Sequence, residues 1–321
     1  MKKFVCIVLA ALIATSLCFA AGRRDAGGEW PTRGITLIVP FAPGGGMDMS
    51  GRLLAPFLER HLGVPVTVIN VAGANGWAGW TQAIRAAPDG YTLVYANYPA
   101  QIAGYLDPAN NIQFTFRDFT PIALHVTDEN VAVFRPNETR FPTVASWVEY
   151  ARVNEMTMAT GGRLSDDHFL IARMNRYLGT RIRPVHMQNT PEGFAAVLGG
   201  HIDGQIANVS EYFQILEAGG AKILTQFWPH RSPHMPQIPT LAESGFPGIY
   251  GDSSRGLLAP PNLNPAVRER LLRVMVDVMN DPEHHAAAAR VGATLNPIIG
   301  DDFYRWLEQQ ENDIRRLMPY M

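Results

Sequence analysis

Short apolar segments alternate with amphipathic helical segments along most of the chain, and this alternation constrains the fold more than any other feature. Residues 35–39 form the first apolar run, and 49–62 follow as a helix that Gly63 should end and that Pro56 should kink or divide. Such alternation predicts α/β units with mostly parallel strands. The predicted strands cover residues 35–39, 64–69, 91–96, 131–134, 157–159, 181–185, 202–207, 223–227 and 256–259.

The alternating units fall into two blocks, and one last strand with three helices follows the second block. This order predicts a two-lobed α/β fold in which each lobe is a mostly parallel sheet flanked by helices. Two crossover strands, near 123–126 and 251–257, should join the lobes. The predicted boundaries assign 30–124 plus 251–321 to lobe 1 and 125–250 to lobe 2.

The N-terminus has the layout of a secretory signal peptide. Lys2 and Lys3 precede an apolar run over residues 4–19, and the small residues 20–22 follow. The run is shorter than the roughly 20 residues that a membrane-spanning helix needs, so residues 1–22 are predicted to be a signal peptide that directs export to the periplasm. A lipid anchor at Cys18 is the alternative.

Composition excludes several classes of function. Both cysteines, Cys6 and Cys18, lie in the predicted leader, so the mature chain should use neither disulfides nor thiolate chemistry. Without the two leader lysines, 25 basic residues (27 − 2) face 29 acidic ones, a net charge of −4. No basic or aromatic-basic stripe is present, so a nucleic-acid partner is not expected.

Three consecutive glycines, Gly44, Gly45 and Gly46, lie between the first predicted strand and its helix. Neither a Walker lysine nor the spacing of a dinucleotide fingerprint follows them. The pattern is typical of a turn whose backbone N–H groups bind an anion at a helix N-terminus, although a tight turn without a ligand is the simpler alternative. Asp48, in the first helical turn, could neutralise the helix dipole or contact a ligand ammonium.

Similar strand-to-helix junctions recur later in the chain. The carboxyl ends of parallel strands, where ligands collect in open α/β sheets, are the expected place for them. Arg163 could pair with a second ligand carboxylate or remain a solvated loop residue. The candidate positions at these junctions are Asn97, Gly161, Gly162, Arg163, Ser165 as a helix N-cap, Thr190, Asn208 and Ser210.

Enzyme and metal motifs are weak. Ser253 and Ser254, with Asp281 and His284, resemble the blocks of one esterase class, but only about 30 residues separate them, with no room for the intervening sheet. Prolines around His230 prevent a helical metal site with His234. We therefore predict no catalytic residue, no metal and no cofactor, with a serine esterase as the poor alternative.

Several segments resemble the extracytoplasmic solute receptors of the tripartite tricarboxylate transporter family, the Bug-type receptors. They read "ITLIVPFAPGGGMDMSGRLLAPFLERHLGVPVTVIN", "AAPDGYTLVYAN", "FRDFTPIALHV", "AAVLGGHIDGQIAN" and "RSPHMPQIPTLAESGFPG", in the family's order from residue 34 onward. The resemblance implies a periplasmic-binding-protein-like fold, a small carboxylate ligand and a transporter made of one large and one small membrane subunit. It also implies that the first glycine loop holds a ligand carboxylate, at Ala42, Gly44, Gly45 and Met47, with Asp48 at the family's acidic position.

The chain departs from the family pattern in two places. The proline-glycine stretch after the second strand reads "VAGANGWAGW", and the tyrosine-lysine-glycine stretch reads "MQN" at 187–189, so a family lysine is absent. The resulting prediction is a monomeric, non-enzymatic solute-binding receptor that delivers a small organic acid to a membrane transporter. A ligand-sensing receptor for a signalling partner is the alternative, and neighbouring genes for membrane subunits would favour transport.

We predict that the mature protein begins just after Ala20 or Gly22. Mass spectrometry of the exported protein should find that N-terminus, because the small residues there fit a signal-peptidase site. A diacylglyceryl mass on Cys18 would establish the lipid-anchored form instead.

Overall fold

Ten strands form one curled, mixed sheet in the computed structural model, which describes residues 30–187, 189–216 and 220–321. The predicted signal peptide and the lipidation alternative at Cys18 lie outside these residues. Residues Arg33–Met321 make one compact unit. None of the helices in the described part of the chain is long and apolar enough to cross a membrane.

The strands and helices follow one another along the chain much as the alternation predicts. The strands are β1 (Ile35–Val39), β2 (Val66–Asn70), β3 (Thr92–Tyr98), β4 (Thr120–Phe134), β5 (Met156–Thr160), β6 (Ile182–His186), β7 (Gly204–Asn208), β8 (Lys222–Gln226), β9 (Asp252–Ala259) and β10 (Thr294–Ile299). The helices are α1 (Gly46–Leu62), α2 (Trp77–Ile84), α3 (Ala100–Leu106), α4 (Val144–Val153), α5 (Asp166–Arg173), α6 (Thr190–Leu198), α7 (Val209–Leu216), α8 (Pro265–Asn280), α9 (Pro282–Arg290) and α10 (Asp301–Leu317).

Strand β4 organises the sheet because it is 15 residues long and pairs with different neighbours along its length. Its first half pairs with β9 and β10, and its second half pairs with β7 and β8. We call strands β2-β1-β3-β9-β4-β10 the first section and β6-β5-β7-β4-β8 the second section. The outer pairs are parallel, as predicted, whereas all pairs that involve β4 or β9 are antiparallel. The predicted crossover segments fall within β4 and largely within β9, and the exact lobe boundaries stay a prediction.

Each section has its own large apolar core. Trp77, Trp80 and Phe303 are buried in the first, and Phe134 and Trp147 in the second. The first core also takes in Leu164 and Phe169 from the start of α5, so the loop before α5 is held against the first section. Burial of such aromatic and aliphatic side chains is the main favourable contribution to folding.

The structure differs from the predicted elements at particular points. Helix α1 runs through Pro56, so the predicted division of this helix is wrong. Pro56 is exposed, and the carbonyl that loses its intrahelical donor can therefore be solvated. The sequence patterns also missed α3 and β10, whose short apolar stretches have no clear period. Asn189 caps α6.

A buried chain of polar side chains crosses the first section. The hydroxyl of Tyr95 lies 2.6 Å from Nδ1 of His125, whose Nε2 lies 3.0 Å from Nε2 of His284, and Nδ1 of His284 lies 3.1 Å from the carbonyl of Val278. That carbonyl can only accept, which makes Nδ1 of His284 a donor and its Nε2 an acceptor when the ring is neutral. His125 then donates from Nε2 and accepts from Tyr95, so every group is satisfied with both rings neutral.

We expect this chain to make stability depend on pH. Burial, followed by the neighbouring histidine, holds the pKa of His125 well below its ordinary value of 6.5, and burial also lowers the pKa of His284. Below about pH 6.5 the unfolded protein therefore binds more protons than the folded protein does. The stabilisation that the neutral histidines contribute is present above that pH and is lost as pH falls toward their folded-state pKa values. The stability advantage of the wild type over His125→Phe should shrink by up to about 1.4 kcal/mol per pH unit below pH 6.5.

Urea unfolding of both proteins between pH 8 and pH 5 measures this difference. His201→Gln, at an exposed position, is the control for general effects of histidine titration. A difference between wild type and His125→Phe that stays constant across this range would contradict the neutral-chain assignment.

Candidate functional site

One cavity of about 660 Å³ lies between loops at the carboxyl ends of strands from both sections. Every predicted site residue except Asp48 lines this cavity. The sequence reasoning also missed several lining residues. Those that bear on its chemistry are Asn75, Asp166, Asp167, Asn189, Glu211, Ser253 and Arg255.

The glycine loop forms the wall from the first section. It connects β1 to α1, which begins at Gly46 without a side-chain cap. The first-turn N–H groups of Gly46 and Met47 have no intrahelical partner, and the positive end of the helix dipole lies there. The guanidinium of Arg255 packs so closely against Gly46 that a Cβ on Gly46 would lie 2.9 Å from it. The wall thus presents backbone donors to the cavity.

Asp48 is buried outside the cavity and holds the glycine loop. Its carboxylate accepts hydrogen bonds from the Gly44 N–H at 2.9 Å, Arg52 Nε at 3.0 Å and Asn70 Nδ2 at 2.8 Å. Burial opposes ionisation, but these donors hold the pKa of Asp48 below its ordinary value. The structure gives Asp48 a supporting role in the loop, since the Gly44 N–H is directed at Asp48, and its ligand contact stays a prediction.

The opposite wall comes from the loop before α5, which follows β5. Ser165 caps α5, as predicted, by accepting from the His168 N–H at 3.3 Å, and the Gly161 N–H donates to Asp167 at 2.8 Å. Arg163 lines the cavity with its side chain 53% exposed, and its Nη1 lies 2.5 Å from Oδ2 of Asp107, at the end of α3. This ion pair joins the loop before α5 to the end of α3, and no sequence pattern indicates it because the partners are 56 residues apart.

Carboxyl groups line much of the second wall. Asn130 donates to Asp166 at 2.8 Å and to Asp167 at 3.0 Å, while the Thr190 hydroxyl donates to Glu211 at 2.8 Å. Burial, then the neighbouring Asp166, raises the pKa of Asp167 well above its ordinary value. Burial also raises the pKa of Glu211 to about 7, so this wall can hold protons near neutral pH.

Arg255, on β9, is the main residue that sequence reasoning missed. Its Nη1 donates to the Ser50 hydroxyl at 2.8 Å and to the Gly46 carbonyl at 3.2 Å, and its Nη2 lies 3.2 Å from Asp128. Asp128 in turn accepts from the backbone N–H and the hydroxyl of Ser210 at the start of α7. An arginine inside a predicted crossover strand was the signal that could have identified Arg255, because charged residues are rarely buried unless they are paired.

The esterase motif does not assemble in the described residues. Ser254 donates to Asp252 at 2.5 Å, and Ser253 accepts from Asn97 at 2.8 Å. His284 is bonded to His125 and the Val278 carbonyl, inside the first section. No group of three or more His, Cys, Asp or Glu side chains in the described ranges could hold a metal ion.

Comparisons with known proteins agree with this architecture. The family model described as "Tripartite tricarboxylate transporter family receptor" matches residues 51–317. Protein BugT of Bordetella pertussis is 28% identical over 310 residues, 93% of this chain and 94% of BugT. The fold is similar to that of a TctC solute binding protein from Polaromonas, at 24% identity and a TM-score of 0.77 over 91% of this chain and 100% of that one. It is also similar to MatC of Rhodopseudomonas palustris with bound malate, at 24% identity and a TM-score of 0.75 over 90% and 99% of the two chains.

These likenesses confirm the predicted α/β fold of periplasmic binding proteins. The family model spans most of the chain, and BugT matches it almost end to end. The protein is therefore a solute-binding receptor of the tripartite tricarboxylate transporter family, of the Bug type.

Proposed function

We propose that this receptor captures a small carboxylate in the cavity and delivers it to a tripartite tricarboxylate-type membrane transporter. The observation that carries the proposal is the cavity itself, with the N-terminus of α1 on one wall and the α5, α6 and α7 junctions on the other. Its volume, about 660 Å³, is in the range of small-molecule sites. The malate bound to MatC supports a carboxylate as the ligand class.

At this wall, backbone N–H donors suit a ligand carboxylate better than an additional cationic side chain would. The N–H groups of Gly46 and Met47 and the helix dipole favour negative charge without adding a mobile side chain. Water can bridge the remaining distance, because ordered water between a polar wall and a ligand is nearly as favourable as a direct hydrogen bond. The ligand carboxylate would then lie against the glycine loop.

Ligand capture would close two lobes, 30–124 plus 251–321 and 125–250, around the cavity. Ligand contacts with both lobes favour the closed form, since a ligand shifts a conformational equilibrium only by its differential affinity for the two states. The crossover strands β4 and β9 would serve as the hinge. Their antiparallel pairing and near-complete burial give the hinge a fixed axis.

The cellular setting is part of the proposal. Export through residues 1–22 would place a monomeric, non-enzymatic receptor in the periplasm, where it meets one large and one small membrane subunit. The absence of an assembled serine–histidine pair in the described residues supports binding without catalysis. The kinship with BugT and the TctC protein of Polaromonas supports the receptor role.

A thermal-shift screen of carboxylates and amino acids, followed by calorimetry of the hits, tests the proposal. A ligand at 100 times its Kd should stabilise the protein by about 2.7 kcal/mol, which is visible as a higher Tm. Hydrolysis of generic esters by the pure protein, or no shift with any carboxylate, would argue against it.

We predict that Gly45→Val weakens carboxylate binding and leaves the fold intact. The backbone at Gly45 has φ −83°, and the nearest atom to an added Cβ, the Ala42 carbonyl oxygen, is 3.9 Å away, so the side chain fits the protein. It would still fill the space in front of the loop that a ligand carboxylate needs. Calorimetry should show a Kd at least about tenfold higher, which corresponds to 1.4 kcal/mol.

Gly34→Ala, ahead of β1 and away from the cavity, is the control variant. Unchanged affinity in Gly45→Val would remove the glycine loop from the site.

A further inference from the structure

The charges around the cavity bear on how many carboxylates a ligand can carry. Of the described residues that line the cavity, Arg163 and Arg255 are the cationic ones. Among the described lining residues, these guanidinium groups are the side-chain cations available to a second ligand carboxylate, because the other ionisable ones are the acids Asp166, Asp167 and Glu211. Each arginine already has a carboxylate partner in the protein.

The guanidinium of Arg255 is buried and bonded to groups of the protein interior. It is 4% exposed and bonded to the Gly46 carbonyl, the Ser50 hydroxyl and Asp128. Drawing it toward a ligand would leave the carboxylate of Asp128, itself 1% exposed, without its cation. Breaking a buried pair in this way is strongly unfavourable.

Arg163 is more exposed but is held in a similar way. Its partner Asp107 is 6% exposed, and Oδ1 of that carboxylate accepts the Ala109 N–H at 3.0 Å, so the acid cannot follow the arginine. The Arg163 backbone is fixed as well. The Leu164 N–H donates to His168 at 3.2 Å, and Leu164 is buried in the first core.

We propose that Asp107 is a specificity-determining residue of this receptor. By holding Arg163, it withholds the cavity's accessible guanidinium from the ligand, so that the receptor selects ligands with one carboxylate over dicarboxylates of the same length. This inference rests on the proposed carboxylate-binding function. The preference for one carboxylate would distinguish this receptor from MatC, whose bound malate carries two carboxylates.

The reason is a competition for one cation. A ligand carboxylate that displaced Asp107 would gain a bidentate partner but would leave a buried carboxylate unpaired. The acids on the same wall offer no cation to a second negative group. Removing the charge of Asp107 should reverse the preference, because Arg163 is then free to bind the ligand.

The test is calorimetry with three pairs of equal chain length: butyrate and succinate, valerate and glutarate, hexanoate and adipate. The wild type should bind the monocarboxylate of at least one pair more tightly than the dicarboxylate. Asp107→Asn keeps an acceptor for the Ala109 N–H and should raise the affinity for the dicarboxylate relative to the monocarboxylate by about tenfold or more. The double variant with Arg163→Gln should lose this gain.

A matched control is available in Asp89→Asn. Asp89 pairs with Arg33 at 3.1 Å and accepts the N–H of Tyr91, two residues on, as Asp107 does for Ala109, but its arginine, unlike Arg163, lies outside the cavity. This variant should leave the ratio of affinities unchanged. Arg163→Gln alone, at a half-exposed position that should tolerate it, should change the ratio by less than about twofold.

Two results would overturn the assignment of Asp107. One is an unchanged ratio in Asp107→Asn, and the other is a loss of dicarboxylate affinity alone in Arg163→Gln, which would mean that Arg163 already contacts the ligand. If the folded wild type binds no carboxylate at all, the proposed function fails, and the role of Asp107 fails with it.

Discussion

The buried ion pair between Arg255 and Asp128 is the interaction on which the rest of the site depends. Burying two charges is unfavourable unless further hydrogen bonds satisfy them. Here the Ser50 hydroxyl and the Gly46 carbonyl accept from Nη1 of the arginine, whose Nε has no partner among the described residues, and Ser210 donates to the aspartate. Because Asp128 lies on β4 and Arg255 on the paired strand β9, one interaction fixes both the glycine loop and the start of α7 relative to β4, the strand shared by the two sections.

This arrangement polarises the cavity. The glycine-loop wall is positive through the N-terminus of α1, whose own acid, Asp48, faces away from the cavity. On the second wall, the acidic residues Asp166 and Asp167 occupy the first turn of α5, at the N-terminus of that helix. Two helix N-termini at the same cavity are therefore not equivalent, and an anionic group is favoured at only one of them. This difference would orient the proposed carboxylate toward the glycine loop.

The strand–helix alternation predicted the α/β fold, and the strand-to-helix junctions predicted about half of the residues that line the cavity, because local sequence determines where strands end and helices begin. It did not predict the partners of the arginines. Asp107 and Arg163 are 56 residues apart, and Asp128 and Arg255 are 127 apart, so only the tertiary fold brings them together. Strand β10 was missed for a related reason, since it is half-buried and is held by its antiparallel pairing with β4.

The three glycines of the first loop have three different explanations. Gly44 has φ +84°, a left-handed conformation that glycine adopts without strain, and its N–H is bound by Asp48. Gly46 has no room for a Cβ because the Arg255 guanidinium lies against it. Gly45 has an ordinary φ and open space around it, so nothing inside the protein requires glycine there. Close approach by a ligand is then the physical reason that remains for a glycine at this position. Substitution of Gly45 is therefore the most direct test of the anion-binding interpretation of the loop.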